Sequence, residues 1–147
     1  MDTYNERILQ ELTTNGKITN AELAQKIGLS ASACLRRVQE LESKGIIKGY
    51  RVILDYKALG RGFVAYVTVG LSTHTSEAQK SFEKAISLSQ EVVECHNVTG
   101  RFEYLLRIET TDLKSYKEFH SNTLGMLPHI AMITTHVVME STKDERA

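Results

Sequence analysis

Apolar residues recur every three or four positions through the first third of the chain and every second position through much of the rest. The pattern predicts a helical segment followed by one that mixes strands and helices. Ile8, Leu9 and Leu12 form the stripe of a first helix that stops near Asn15 and Gly16. Thr19, with Glu22 three residues on, has the form of a capping box, in which each side chain covers a free backbone N–H of a helix start. Leu23, Ala24 and Ile27 give the second stripe, and Gly28 supplies the backbone freedom for a sharp turn. Ser30 caps a third helix whose apolar face is Cys34, Leu35, Val38 and Leu41. Gly45 ends that helix as a left-handed cap, with Ile46 and Ile47 packing back on the core.

From Tyr50 the period becomes alternating. Tyr50 to Leu54 is a strand candidate, and Asp55 to Gly62, with two glycines, reads as a linker. Phe63, Ala65, Val67, Val69 and Leu71 then line one face of a strand. Ser76 caps a helix carrying Phe82, Ala85 and Ile86, which leads to the strand Val92 to Val98. Gly100 turns the chain into a strand with Tyr104, Leu106 and Ile108, and a helix with Leu113, Tyr116 and Leu124 follows. Pro128 blocks its continuation, so Ile130 to Met139 returns as the last strand. This doubled β-α-β order is the ferredoxin-like split βαβ arrangement. The expected fold class is therefore α+β. A helix-turn-helix domain occupies 1–49, strand and linker 50–62, and a ferredoxin-like domain 63–147.

The chemistry sits on the third helix. With Cys34, Leu35, Val38 and Leu41 inward, a step of about 100° per residue turns Ser32, Arg36, Gln39 and Ser43 outward, with Ala33 beside them and Arg37 on the flank. Ser30, Ser32 and Ala33 are small enough to let the helix start enter a DNA major groove, Arg36 offers a two-pronged donor to guanine, and Arg37 pairs with phosphate. Lys44, Lys48 and Arg51 continue the positive charge past the helix end and hold the DNA backbone. The competing reading is a three-helix bundle whose arginines are merely solvated.

Charge and composition narrow this little. Lys plus Arg and Asp plus Glu number 18 each, with 9 basic against 7 acidic residues over 1–60 and 9 against 11 over 61–147. Glu40 and Glu42 beside the basic face fit a reader that depends on a few placed contacts rather than on bulk charge. No window approaches the ~20 apolar residues that span a bilayer, and no signal-type run opens the chain, so a cytoplasmic protein without membrane contact is expected. Cys34 and Cys95 read as buried reduced thiols. His74, His96, His120 and His129 lack the spacing of a metal site, and no nucleophile elbow, paired carboxylates or phosphate-cradling loop marks an enzyme.

Three stretches carry a family resemblance: ILQELTTNGKITNAELAQKIGLSASACLRRVQELESKGIIKGY, then EVVECHNVTGRFEYLLRI, then LGMLPHI with THVVME. Along essentially its whole length the chain resembles the Lrp/AsnC family, the feast/famine transcription regulators. The resemblance implies a winged-helix-like form for the helix-turn-helix domain and effector binding and oligomerisation for the ferredoxin-like sensor domain, with double-stranded DNA as partner, homodimers that associate further, commonly into octamers, and no cofactor beyond an amino-acid or related effector. Two positions depart from the pattern: Ala31 stands where proline is usual, and the sensor turn, Gly-Asp-Tyr-Asp-Tyr in relatives, is Gly100-Arg101-Phe102-Glu103-Tyr104 here. Carried over, Gly100 lets the backbone approach an effector in a cleft between subunits and Glu103 holds its α-ammonium. Arg101 either clamps a carboxylate, or pairs with Glu103 and fills the pocket, or is an exposed turn arginine. Thr135 and His136 map near the same cleft, although a lone strand histidine is more often a packing residue. Two other classes stay open. One is an enzyme, since some haem-pathway decarboxylases resemble the family in fold, and the other is a metabolite-sensing module that does not bind DNA.

Overall fold

The computed structural model describes residues 1–144, which form two compact units meeting between Ile53 and Leu54. The first is built of α1 (Thr3–Thr14), α2 (Asn20–Ile27) and α3 (Ala31–Ser43). Each helix start is held by the side chain just before it. Asp2 accepts from the Asn5 N–H, Thr19 and Glu22 form the reciprocal capping box, and Ser30 accepts from the Ala33 N–H. Gly28, at φ 77°, turns the chain between α2 and α3 in the left-handed region that a side chain disfavours.

Ile8, Leu23, Ala24, Ile27, Cys34 and Leu41 make the buried core of this unit, with Val38 and Ile47 packed on it. Leu35, expected inside, is 46% exposed. The buried stripe of α3 runs only through Cys34, Val38 and Leu41, and the two short helices facing it leave its neighbour at the rim. Gly45 (φ 68°) closes α3 as expected, with the Ile46 N–H bonded back to the Leu41 carbonyl at 3.0 Å. Ile47 alone returns to the core, and Ile46 stays in solvent.

Residues 50–54, expected as a strand, form none, and all are exposed. A strand needs a neighbouring edge for its N–H and C=O groups, and no edge among the described residues offers one. Residues 56–60 are turns, held by the Arg61 N–H on the Tyr56 carbonyl and by the Asp55 carboxylate on the Ala58 N–H.

The second unit runs β1 (Phe63–Leu71), α4 (Ser76–Ser87), β2 (Val92–Asn97), β3 (Tyr104–Thr110), α5 (Leu113–Asn122), a single 3₁₀ turn (Leu124–Met126) and β4 (Ile130–Val137). Its sheet order is β2-β3-β1-β4 with every neighbour antiparallel, the split βαβ arrangement expected. Val67, at the centre, pairs with Leu106 on one side and Thr135 on the other. Alternation then sends Ala65, Val67, Val69, Tyr104, Leu106 and Ile108 to the face that Phe82 and Ile86 of α4 and Tyr116 and Phe119 of α5 cover.

Local corrections follow from the same geometry. Thr75, not Ser76, caps α4, accepting from the Ala78 N–H. Leu113 opens α5 in solvent, whereas Leu124 is fully buried from the 3₁₀ turn. Cys34 is buried, which pushes its thiol pKa up, but Cys95 is exposed because β2 is an edge strand that α4 covers only in part. The other face of the sheet carries a polar cluster in which Arg107, its side chain 13% exposed, donates to Glu109 at 2.9 Å and to the Tyr66 hydroxyl at 2.7 Å. No helix among the described residues is long and apolar enough to cross a membrane.

Candidate DNA-reading face and effector turn

The outward face of α3 begins with its cap. Ser30 holds the Ala33 N–H at 3.2 Å, and its hydroxyl lies 3.3 Å from that of Ser32, so two small polar side chains sit at a helix N-terminus whose free N–H groups favour an anion. One turn on, Arg36 is exposed, and among the described residues no hydrogen bond or ion pair holds it. Gln39 and Ser43 follow on the same side, both exposed, while Ala33 is half-buried at its margin. Lys44 is tied to Glu40 at 2.6 Å, a contact that also holds the Glu40 carboxyl below its usual range. That exposed pair is weak enough to open, and Lys48 lies free in solvent beyond it.

The turn itself is fixed from behind. Asn20 donates to the Ala31 carbonyl at 2.8 Å and so ties the start of α2 to the start of α3. Arg7 of α1 caps the end of α2, donating to the carbonyls of Lys26 at 2.8 Å and Ile27 at 3.2 Å. Arg37 does not point where Arg36 does. Its Nη1 donates to Asp2 at 2.6 Å and to Asn5 at 2.9 Å, and its guanidinium lies over the Tyr4 ring at 5.2 Å. Arg7 and Asn20 were not singled out from sequence, although an arginine one helix away from a carbonyl terminus is the signal that marks such a cap.

At the other candidate site, Gly100 (φ 118°) makes the turn between β2 and β3 in a conformation that favours glycine. Arg101 is exposed and, among the described residues, has no ion-pair partner, so within the chain it does not pair with Glu103. Both carboxylate oxygens of Glu103 have partners within the chain. One carboxylate oxygen accepts from the Leu71 N–H at 2.7 Å, and the other sits 2.8 Å from His74 Nδ1, locking the turn to the end of β1. Thr135 and His136 are not at this turn within the chain. Alternation turns Thr135 to the helix side, where it bonds the Tyr116 hydroxyl, and His136 pairs with Tyr66, roughly 10 Å along β1 from the Val69 carbonyl that receives the Glu103 N–H. Gly70 and Met132 are the neighbours instead: a Cβ on Gly70 would stand 3.5 Å from the Met132 Cβ and 3.7 Å from the Glu103 carboxylate.

Residues 64–147 match the Lrp/AsnC ligand binding domain family, and residues 1–48 match the winged helix-turn-helix DNA-binding family. The chain belongs to the Lrp/AsnC family. It is similar to the leucine-responsive regulatory proteins of Haemophilus influenzae, 38% identical over 97% of this chain and 86% of that one, and of Escherichia coli K12, 36% identical over 97% and 87%. Among solved structures it resembles an L-Met complex of a transcriptional regulator from Neisseria meningitidis, with a TM-score of 0.94 at 30% identity over 98% of this chain and 93% of that one. An AsnC family transcriptional regulator from Agrobacterium tumefaciens gives 0.92 at 30% identity, over 98% and 94%.

Family membership makes the chain a DNA-binding transcriptional regulator whose second domain binds a small molecule. In this Lrp/AsnC protein the two candidate sites are of different kinds. The outward face of α3 is preformed by caps and ties inside one unit, while the Gly100 turn has its acid already bonded. His74 and Met132, next to that turn, carried no motif from which sequence reasoning could have found them.

Proposed function

We propose that this Lrp/AsnC regulator recognises a specific double-stranded DNA sequence with Ser32, Arg36 and Gln39 of α3, the small Ala33 giving the helix start room in the groove and Ser30, Lys44 and Lys48 steadying it on the phosphates. An amino acid acting at the Gly100 turn adjusts that binding. The observation that carries the reading is Arg36: exposed, in no hydrogen bond or ion pair among the described residues, and one turn from a capped helix start lined by small side chains. An arginine placed so is suited to the O6 and N7 of guanine. Titration of the chain's own upstream DNA at several salt concentrations tests it. Arg36→Ala should cost about 1–3 kcal/mol of discrimination at one base position. Equal affinity of this variant and the native chain for every base at every position would end the assignment.

The L-Met complex of the Neisseria meningitidis relative supports an amino acid as the effector class. His74, with its side chain 74% exposed, is the partner of Glu103 that an α-ammonium would displace, while the Leu71 N–H keeps the other oxygen. Arg101 at the same turn is suited to the carboxylate of an acidic amino acid. In a thermal-shift screen, an effector present at 100 times its Kd stabilises by about 2.7 kcal/mol. A shift with acidic amino acids that is lost in Arg101→Asp supports this site, whereas no shift with any amino acid points to a regulator that needs none. The regulator acts as a homodimer that assembles further, with the octamer as the expected state, and it works in the cytoplasm. Sedimentation of the purified chain counts the subunits.

A further inference from the structure

The outward face of α3 leaves Arg37 unexplained. Its side chain is 22% exposed, and three groups of α1 converge on it: the Asp2 carboxylate at 2.6 Å, the Asn5 amide oxygen at 2.9 Å and the Tyr4 ring at 5.2 Å. Asp2 serves two helices at once. Its Oδ1 accepts from the Asn5 N–H and starts α1, while its Oδ2 accepts from Arg37 of α3. A phosphate contact by Arg37 would require breaking a charge-assisted bond of 2.6 Å and leaving Asp2 unpaired next to a polyanion.

We propose that Arg37 is a positioning residue, bracing α3 against the start of α1 through Asp2, Asn5 and Tyr4, and so fixing the angle at which the adjacent Arg36 meets a base. Adjacent helical residues are separated by about 100°, so a guanidinium anchored on one side of α3 sets the rotation of the side chain next to it. Nη1 donates to both oxygens while the guanidinium plane lies over the Tyr4 ring, and an ammonium has no such plane to lay on the ring. The small core of this unit resists translation of α3 well. Its rotation about its own axis is resisted mainly by such off-axis ties, and Arg37 is the charged one.

The inference rests on the DNA-reading role of Arg36, and the test separates the two. Binding of the full-length chain to its specific site and to a scrambled competitor is measured across a range of salt, below the melting temperature of each variant. If the native chain prefers no site, the reading of α3 fails; if it prefers one, the variants judge the brace. Asp2→Ala removes an acid from a DNA-binding unit, a change that on charge alone strengthens binding to any DNA. The brace predicts the opposite at the specific site: a loss of preference on the order of tenfold with the salt slope unchanged. Asp2→Asn keeps a good helix cap and so preserves α1, and should lose part of the preference. Arg37→Lys keeps the charge and should fall nearly as far as Arg37→Ala. The proposal is overturned if Arg37→Ala weakens all sequences alike and lowers the salt slope by about 0.9, the mark of one lost phosphate contact, while Arg37→Lys is silent. It is equally overturned if Asp2→Ala and Arg37→Ala leave the preference untouched. A role in stability alone would move the melting temperature and spare the preference.

Discussion

In the helix-turn-helix unit a core of Ile8, Leu23, Ala24, Ile27, Cys34 and Leu41 is supplemented by side-chain ties between helices, whereas in the sensor domain a core twice as long in membership is bound by a continuous strand ladder. Arg7, Asn20, Lys26 and Arg37 each reach from one helix to another in the first unit. In the second, the backbone itself fixes the relative position of β1, β3 and β4, and polar side chains such as Tyr104, which donates to Glu83 at 2.7 Å, only add to it. Burial and the neighbouring Glu83 carboxylate push the Tyr104 hydroxyl far above its usual range, so it remains a donor at any physiological pH. Each unit is vulnerable in its own way: the helix-turn-helix unit relies on a small core and a few polar side-chain ties, and the sensor domain on a larger core and its strand ladder.

The sharpest way to break this contrast is to remove core volume from each side. Ile8→Ala and Leu106→Ala each empty a fully buried position and should each cost about 2–5 kcal/mol. The small unit has less to lose, so Ile8→Ala should melt α1 to α3 while the sheet stays folded, and Leu106→Ala should lower the melting point of a sensor domain that still folds. Amide exchange at Leu23 and at Ile108 reads the two units separately. Equal destabilisation of both sites by either variant would show that the units unfold as one, and the contrast would go.

A smaller test compares the caps. Thr19 both gives and receives in the capping box of the eight-residue α2, whereas Thr75 only accepts at the start of the twelve-residue α4. Replacement of either by Ala should cost about 1 kcal/mol. In α2 the loss leaves only the Glu22 half of the box and falls on a helix of little more than two turns, so amide protection should drop along all of it. In α4 it should fray the first turn only. Equal, local fraying in both would mean that tertiary packing already holds α2 without its box.

How much of this was legible in the sequence follows from the same physics. Periods of 3.6 and 2 located every helix and the four strands of the sensor domain, because burial on one face is written into residue spacing. Caps at Thr19 and Ser30 were legible because they act over three residues. The strand expected over 50–54 was not real within this chain, since alternation signals an edge to pair with and cannot supply one. Leu35 and Cys95 were misplaced because periodicity gives a side's direction and not how far the neighbouring elements reach across it. The intramolecular partners of Arg37 and Glu103 were not foreseen for one common reason. A charged side chain in a motif is read as facing a ligand, while its partners, Asp2 thirty-five positions away and Leu71 thirty-two away, are set by tertiary structure alone.

The smallest expected effect is the response to acid, and it sharpens the comparison from the side of charge. In the first unit the carboxyls of Asp2, Glu22 and Glu40 are held below their usual range, by the Asn5 N–H and then Arg37, by the Thr19 N–H, and by Lys44 respectively. In the second, Asp112 is lowered in the same way by the Ser115 N–H. A carboxyl whose folded pKa is lowered binds fewer protons folded than unfolded. Its stabilisation is therefore complete above the ordinary carboxylate range and is lost as pH falls through the folded value. Below about pH 4 the helix-turn-helix unit should thus lose stability faster than the sensor domain, with amide protection at Leu23 and Leu41 falling before that at Leu106. All these groups are exposed, so the loss should be gradual and smaller at high salt. Asp2→Asn should remove part of the pH dependence in the first unit and none in the second. If Asp2→Asn leaves the acid profile of α1 unchanged, the bond from Arg37 does not hold Asp2 ionised in solution, and the brace on α3 would have to rest on Asn5 and Tyr4 alone.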